Sequence, residues 1–346
     1  MHRPTAATLL AAVLAAVPRA AGAPPSRPQH APHEPAILTL VADIPLPGPP
    51  VRFDYQSLDP AVDRLYIAHM GAGNVVVFNV KSRQVEGTID SLPGVTGVWA
   101  VPARGRVYAS VTGLHHVAVI DARTWSVVAR LGPIGFPDGI AYAPDQQKIY
   151  VSDERGSGEL VIDARSDRIL TTVALDGGEA GNTVYDPGSR CIVVAVQSRN
   201  ALYVIDPVTE RILGRFELPG AARPHGIALD VERRLAFVAN QGNARLLVVD
   251  LRTMKVRAQL PVGGEPDVLA FDPVWRRLYV ASESGTVTVF SETGDGLVRD
   301  GELRLPHAHS VAVDPRTHLV YFPLQDVRGR PLLRIMAAAP PAGSPP

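Results

Sequence analysis

The sequence predicts an all-β fold, a seven-bladed β-propeller of four-stranded antiparallel blades, on three observations. A phrase recurs: Phe237-Val-Ala-Asn240 returns as Tyr279-Val-Ala-Ser282, with alternating runs and polar turns between the two copies. One aromatic or apolar position recurs at Tyr66, Tyr108, Tyr150, Val193, Phe237, Tyr279 and Tyr321, with gaps of 42, 42, 43, 44, 42 and 42 residues. Ahead of each stands a turn of one kind: Asp59-Pro60, Val101-Pro102, Ala143-Pro144, Asp186-Pro187, Asp230-Val231, Asp272-Pro273 and Asp314-Pro315. Proline fixes φ at the second turn position and aspartate accepts from backbone N–H groups, so each pair reverses the chain between two strands. Seven copies of a four-strand unit with this period suit a closed ring of blades.

Taken in order, the chain opens with His2 and Arg3, the apolar run Ala6 to Val17 and the small residues Ala21-Gly22-Ala23. That pattern reads as a secretory signal over residues 1–23, because the run is too short to span a bilayer and ends at Pro18. A periplasmic or secreted protein follows, with no membrane span after signal removal. Residues 24–35 (PPSRPQHAPHEP) read as an extended, Pro-rich linker whose His30 and His33 are isolated tail histidines. Ala36 to Ile44 is a β-type run resembling the last strand of later units, such as Ser126 to Leu131.

The clearest unit then shows the element pattern. Leu246 to Asp250 alternates as a strand, Leu251 to Met254 is a polar turn, Lys255 to Leu260 is a second strand, and Asp267 to Phe271 a third after a Gly-rich connection. Polar turns such as Asp121-Ala-Arg-Thr124, Asp163-Ala-Arg-Ser166 and Asp250-Leu-Arg-Thr253 recur at one register, and their aspartates read as turn formers. Arg233-Arg234 and Arg276-Arg277 occupy equivalent strand-entry turns and read as solvated residues. The seventh copy ends with Leu332 to Met336 and lacks a fourth strand, with residues 337–346 read as a disordered tail. Ala36 to Ile44 is expected to supply that strand, closing a propeller over residues 36–336 without an open sheet edge.

Composition excludes several functions. Formal net charge is zero, so nothing advertises a nucleic acid or an anionic membrane as partner, although arginine outnumbers lysine 31 to 3. A single cysteine, Cys191, in a buried strand pattern rules out an internal disulfide and disfavours a multi-Cys metal site. There is no Gly-x-Ser-x-Gly, His-Glu-x-x-His, phosphate-binding Gly-x-x-x-x-Gly-Lys or Cys-x-x-Cys. Trp99, Trp125 and Trp275 do not recur at the repeat period, which argues against quinone-dependent oxidation.

The repeat phrase resembles a known family. Leu278-Tyr-Val-Ala-Ser282, Ile149-Tyr-Val-Ser-Asp153 and Phe237-Val-Ala-Asn240, each followed by a V-x-V-x-D-like strand and a connection like Val262-Gly-Gly-Glu-Pro266, are similar to the repeat of the YVTN family of β-propellers. That family includes YncE-like secreted and periplasmic proteins. The resemblance covers residues 36–336 and departs at Val193 in the fourth copy and Phe322-Pro-Leu324 in the seventh. It implies a shared scaffold rather than a shared chemistry.

Chemistry is expected where the regular pattern gives way. In a propeller the connection into the innermost strand and the loop leaving the second strand open on one face, around the central channel. Twelve residues before each key position stand Asp54, Thr96, Asp138, Gly181, His225, Asp267 and His309; three residues after it stand His69, Val111, Asp153, Val196, Asn240, Ser282 and Leu324. The candidate ligand-binding set at the channel mouth is therefore Asp54, His69, Asp138, Asp153, His225, Asn240, Asp267 and His309. Within it Asp54, Asp138, His225, Asp267 and His309 are candidate metal ligands. Ca²⁺ would take the oxygens of Asp54, Asp138, Asp267 and Asn240, whereas Zn²⁺ would take His225 and His309. The plainer alternative is that these residues fill the variable place of a Pro-x-Gly phrase, as in Pro137-Asp-Gly139 and Pro224-His-Gly226, and line a hydrated channel. His115 and His116 should point to opposite faces of a strand, whereas alternation could aim His307 and His309 the same way. Two functions follow: an extracytoplasmic binding or scaffold protein for a small molecule or protein partner, or a metal-dependent hydrolase or lyase of lactonase-like propeller type.

Overall fold

The structure is a computed structural model and describes residues 1–2, 37–294 and 296–340. The expected signal and linker segments lie almost wholly outside the described residues. Seven four-stranded antiparallel sheets are present, six of them built from consecutive strands. Blade 3, for example, comprises Pro137–Ala143, Lys148–Asp153, Gly158–Asp163 and Arg168–Ala174. The first strand of each blade touches the first strands of its two neighbours, so seven inner strands surround the axis.

The seventh blade is closed as the sequence suggests. Strand Leu38–Pro45 pairs antiparallel with Leu332–Ala338 and forms the outer edge of the sheet that also holds Leu319–Leu324 and Ala312–Asp314. The last strand therefore runs two residues beyond Met336, the expected boundary of the tail. Arg334 donates to both oxygens of Asp43 across this seam, at 2.8 and 2.6 Å.

Seven apolar clusters form the core, one at each blade–blade interface. Between blades 1 and 2, for instance, Tyr66, Val75 and Val77 pack on Val107, Ala109 and Ile120. The key position explains the repeat: Tyr66, Tyr108, Tyr150, Phe237, Tyr279 and Tyr321 are all fully buried, each a large ring wedged toward the next blade. Where the fourth copy has Val193, a cavity of about 140 Å³ remains, lined by Val193, Val204, Phe216, Leu251 and Met254.

A polar belt accompanies these interfaces on the turns. Asp186 pairs with Arg234 of the next blade, Asp230 with Arg276, and Asp272 accepts from His318 Nδ1 at 2.7 Å. Arg316 joins Asp314 to Asp63 across the closing interface. Arg234 and Arg276 are thus not the solvated turn residues the sequence suggested. Their side chains, 16% and 21% exposed, answer aspartate side chains that are 2% exposed or less. Burying those aspartates is tolerable only because an arginine of the neighbouring blade compensates the charge.

Candidate functional site at the channel mouth

Inner strands reach the channel mouth through a break in their pairing. In five blades the register shifts near the start of the inner strand: between Val95 and Val98, Pro137 and Ile140, Ala180 and Thr183, Pro224 and Ile227, and Pro266 and Leu269. A bulge bends the strand and re-aims a side chain. The residues it holds are Thr96, Asp138, Gly181, His225 and Asp267. Glycine follows where neighbouring backbones meet: a Cβ on Gly97 would lie 2.0 Å from the Asp138 carbonyl oxygen, and one on Gly226 would lie 1.8 Å from that of Asp267. The Pro-x-Gly phrase is therefore a packing requirement that frees the middle residue to face the channel.

Five expected residues come together. Asp54, Asp138, His225, Asp267 and His309 are all 3–6% exposed. His225 Nε2 lies 3.1 Å from Asp267 and 3.7 Å from Asp138, and its Nδ1 lies 3.8 Å from Glu154. His309 Nδ1 lies 3.8 Å from Glu283. Two groups result whose potential ligand atoms lie within 4.8 Å of one another: Asp138, Glu154 and His225, and Asp267, Glu283 and His309. Arg52 joins the second group, with Nη1 2.6 Å from Glu283 and other guanidinium nitrogens 3.7 Å from Asp54 and Asp267. Tyr55 crosses from blade 1 to the far side, its hydroxyl 3.2 Å from His225 Nε2 and 3.5 Å from Asp138. Arg52, Asp54, Tyr55, Asp138, His225 and Asp267 help line a cavity of about 200 Å³.

The other three expected residues make different contacts. Asp153 accepts from the backbone N–H groups of Gly135, Phe136 and Gly156 at 2.7–2.8 Å, holding a connection in place. The Asn240 amide donates to the carbonyls of Val238 and Arg245. His69 is fully buried and stacked on Phe53 with centroids 4.0 Å apart. His115 Nδ1–H donates to the Gly135 carbonyl at 2.8 Å, and His307 sits in a left-handed turn outside any strand, so it does not alternate with His309.

The residues that do reach the mouth from the second strand stand one place later. Met70, Glu154 and Gln241 line the cavity, Glu283 binds Arg52, and Gln197 donates to Glu154 at 2.7 Å. Each follows its key position by four residues rather than three. The strands end at His69, Asp153, Val196, Asn240 and Ser282, so Met70, Glu154, Gln197, Gln241 and Glu283 are each the first residue of the loop that leaves the strand and are aimed by that loop. The sequence carried this signal, since the later column holds Glu154, Gln197, Gln241, Glu283 and Gln325, all long and polar. Arg52 and Tyr55 belong to blade 1 alone and have no repeat signal.

Charge in the mouth is shared unevenly. Burial pushes Asp54 and Asp138 up to about 7, with neighbouring carboxylates adding and the imidazoles of His309 and His225 opposing. Burial acts the same way on Asp267, but His225, His309 and Arg52 outweigh it and hold that carboxylate below its ordinary range. His225 is disfavoured as a cation by burial, yet Asp267, Asp138 and Glu154 raise it to about 9. Burial and the surrounding acids keep the Tyr55 hydroxyl firmly protonated. Two imidazole nitrogens, His225 Nδ1 and His309 Nε2, are buried without a hydrogen-bond partner. Such atoms are costly unless something else answers them.

No protein-family model matches the chain, and no curated protein matches it. Among solved structures it is similar to hydrazine synthase of Kuenenia stuttgartiensis, with a TM-score of 0.74 and 15% identity over 90% of this chain and 100% of that chain. The shared feature is the propeller. At this identity the likeness carries the fold and leaves the chemistry to the residues of the mouth.

Proposed function

We propose that this chain is an extracytoplasmic, YVTN-type, YncE-like binding propeller that uses its channel mouth to hold a divalent metal ion and, beside it, a small molecule. The observation that supports the metal is the buried, unpartnered Nδ1 of His225, 3.8 Å from Glu154, within a group of Asp138, Glu154 and His225 whose ligand atoms lie within 4.8 Å of one another. Tetrahedral Zn²⁺ with ligands at about 2.0–2.2 Å sets neighbouring ligand atoms roughly 3.3–3.6 Å apart. One ligand atom from each of Asp138, Glu154 and His225 lies within 4.8 Å of the others, so a closure on the order of an ångström brings them to that spacing. Mixed imidazole and carboxylate donors favour Zn²⁺ over Ca²⁺, which prefers an all-oxygen shell.

The test is equilibrium dialysis of the purified protein against Zn²⁺ and Ca²⁺, with metal content and thermal midpoint measured afterwards. A bound stoichiometric ion raises the midpoint by mass action. Retained Zn²⁺ that is lost in a His225→Ala, Asp138→Asn variant supports the reading. No retained metal and no shift with either ion sinks it.

One observation favours hydrolysis as a second reading. Tyr55 and His225 are 3.2 Å apart beside carboxylates raised to about 7, so the mouth holds proton donors and acceptors that work near neutral pH. Turnover of a lactone panel by the Zn²⁺-loaded protein, absent in Tyr55→Phe, would move the reading from binding to catalysis.

A further inference from the structure

The two metal-competent groups at the mouth are not equivalent. Both contain one buried histidine, one buried aspartate and one half-exposed glutamate, and both histidines carry an unpartnered ring nitrogen while only 4–6% exposed. They differ in what already stands among their carboxylates. Among the described residues no lysine or arginine lies within ion-pair distance of Asp138 or Glu154; Asp138 accepts from Tyr55, and Glu154 from the neutral amide of Gln197. The guanidinium of Arg52 instead sits on the second group, donating to Glu283 at 2.6 Å and lying 3.7 Å from Asp267.

We infer that Arg52 is a tethered occupant of the second position, a built-in cation that restricts the mouth to one metal ion at Asp138, Glu154 and His225. This rests on the metal-binding reading above. A guanidinium this close to two of three ligands repels an incoming divalent ion and keeps the lone pairs that ion would need. Its placement is fixed from both ends. Arg52 stands in the connection between the closing strand Leu38–Pro45 and blade 1, and its carbonyl accepts from Gly71 N–H at 3.0 Å. The Arg52 side chain is 40% exposed, so replacing it removes charge from the rim without opening the core.

The test is zinc titration by calorimetry of the full chain and of Arg52→Gln, with circular dichroism melts showing that each protein is folded. Wild type is expected to take one equivalent. Arg52→Gln is expected to take a second, at least tenfold tighter than any second binding to wild type, and to lose it again when His309→Ala is added. Arg52→Lys, which keeps a cation, should stay at one equivalent. A single equivalent in both wild type and Arg52→Gln, or two in wild type, overturns the inference. If wild type binds none while Arg52→Gln binds one that requires His309, the tethered-cation inference stands and the metal-binding function of the native mouth falls. If neither protein binds, both fall.

Discussion

Single residues show where the repeat rule is broken and at what cost. At one register of the third strand, Val75, Val117, Leu202 and Leu246 are fully buried in the interface layer, but blade 3 carries Glu159, equally buried and with neither carboxylate oxygen hydrogen-bonded. Burial, then the charge of Asp153, pushes its carboxyl far above the ordinary range, with Thr183 opposing weakly. The folded state thus keeps a proton that the unfolded chain releases near pH 4.5. Above that pH the native protein binds more protons than the unfolded one, so stability falls as pH rises, by at most about 1.4 kcal/mol per pH unit. Urea unfolding from pH 5 to 8 should show this slope flattened in Glu159→Gln, which is expected to be the more stable protein at pH 8. Parallel profiles for the two proteins would show that Glu159 does not carry it. Such a residue was invisible as an anomaly in the sequence, because a lone glutamate at a strand start reads as solvated until the neighbouring blade covers it.

Blades, as elements, are held to one another by rings, apolar layers and the turn belt. Legibility differed among these three. Period and turn phrase located every blade, and even the closing strand, because both follow from backbone needs that any copy must meet. The belt was hidden: Asp186 and Arg234 lie 48 positions apart, and nothing local says that one blade's turn acid meets the next blade's arginine. Replacing Arg234 by alanine leaves a buried carboxylate uncompensated and is expected to cost about 2–3 kcal/mol, well above a surface ion pair. Denaturant unfolding of Arg234→Ala, and of Asp186→Asn with it, checks this. The double variant should regain part of the loss, since the stranded charge is gone. The mouth was half legible for a related reason. Bulges fixed the inner-strand column by register, whereas the second-strand column was displaced by one residue, turning Asp153 and Asn240 to structural contacts and Glu154 and Glu283 to the channel.

At the scale of the molecule, closure by the strand Leu38–Pro45 makes the ring one unit. Its removal would expose the full edge of Leu332–Ala338 and uncover the interface of blades 7 and 1, where Leu333, Ile335 and Tyr321 pack on Leu65, Ile67 and Phe78. A chain lacking residues 37–45 should melt roughly 10 °C lower or more, and should associate through the open edge. Calorimetry and light scattering test both effects, and an unchanged monomeric melt would mean that the seam is dispensable. The same seam sets an order of events during synthesis. Leu38–Pro45 leaves the ribosome almost three hundred residues ahead of its partner strand, so it must wait, unpaired, while six blades emerge behind it. Assembly of the ring therefore ends where it began: the earliest described strand can be paired only when the last one, Leu332–Ala338, has been made.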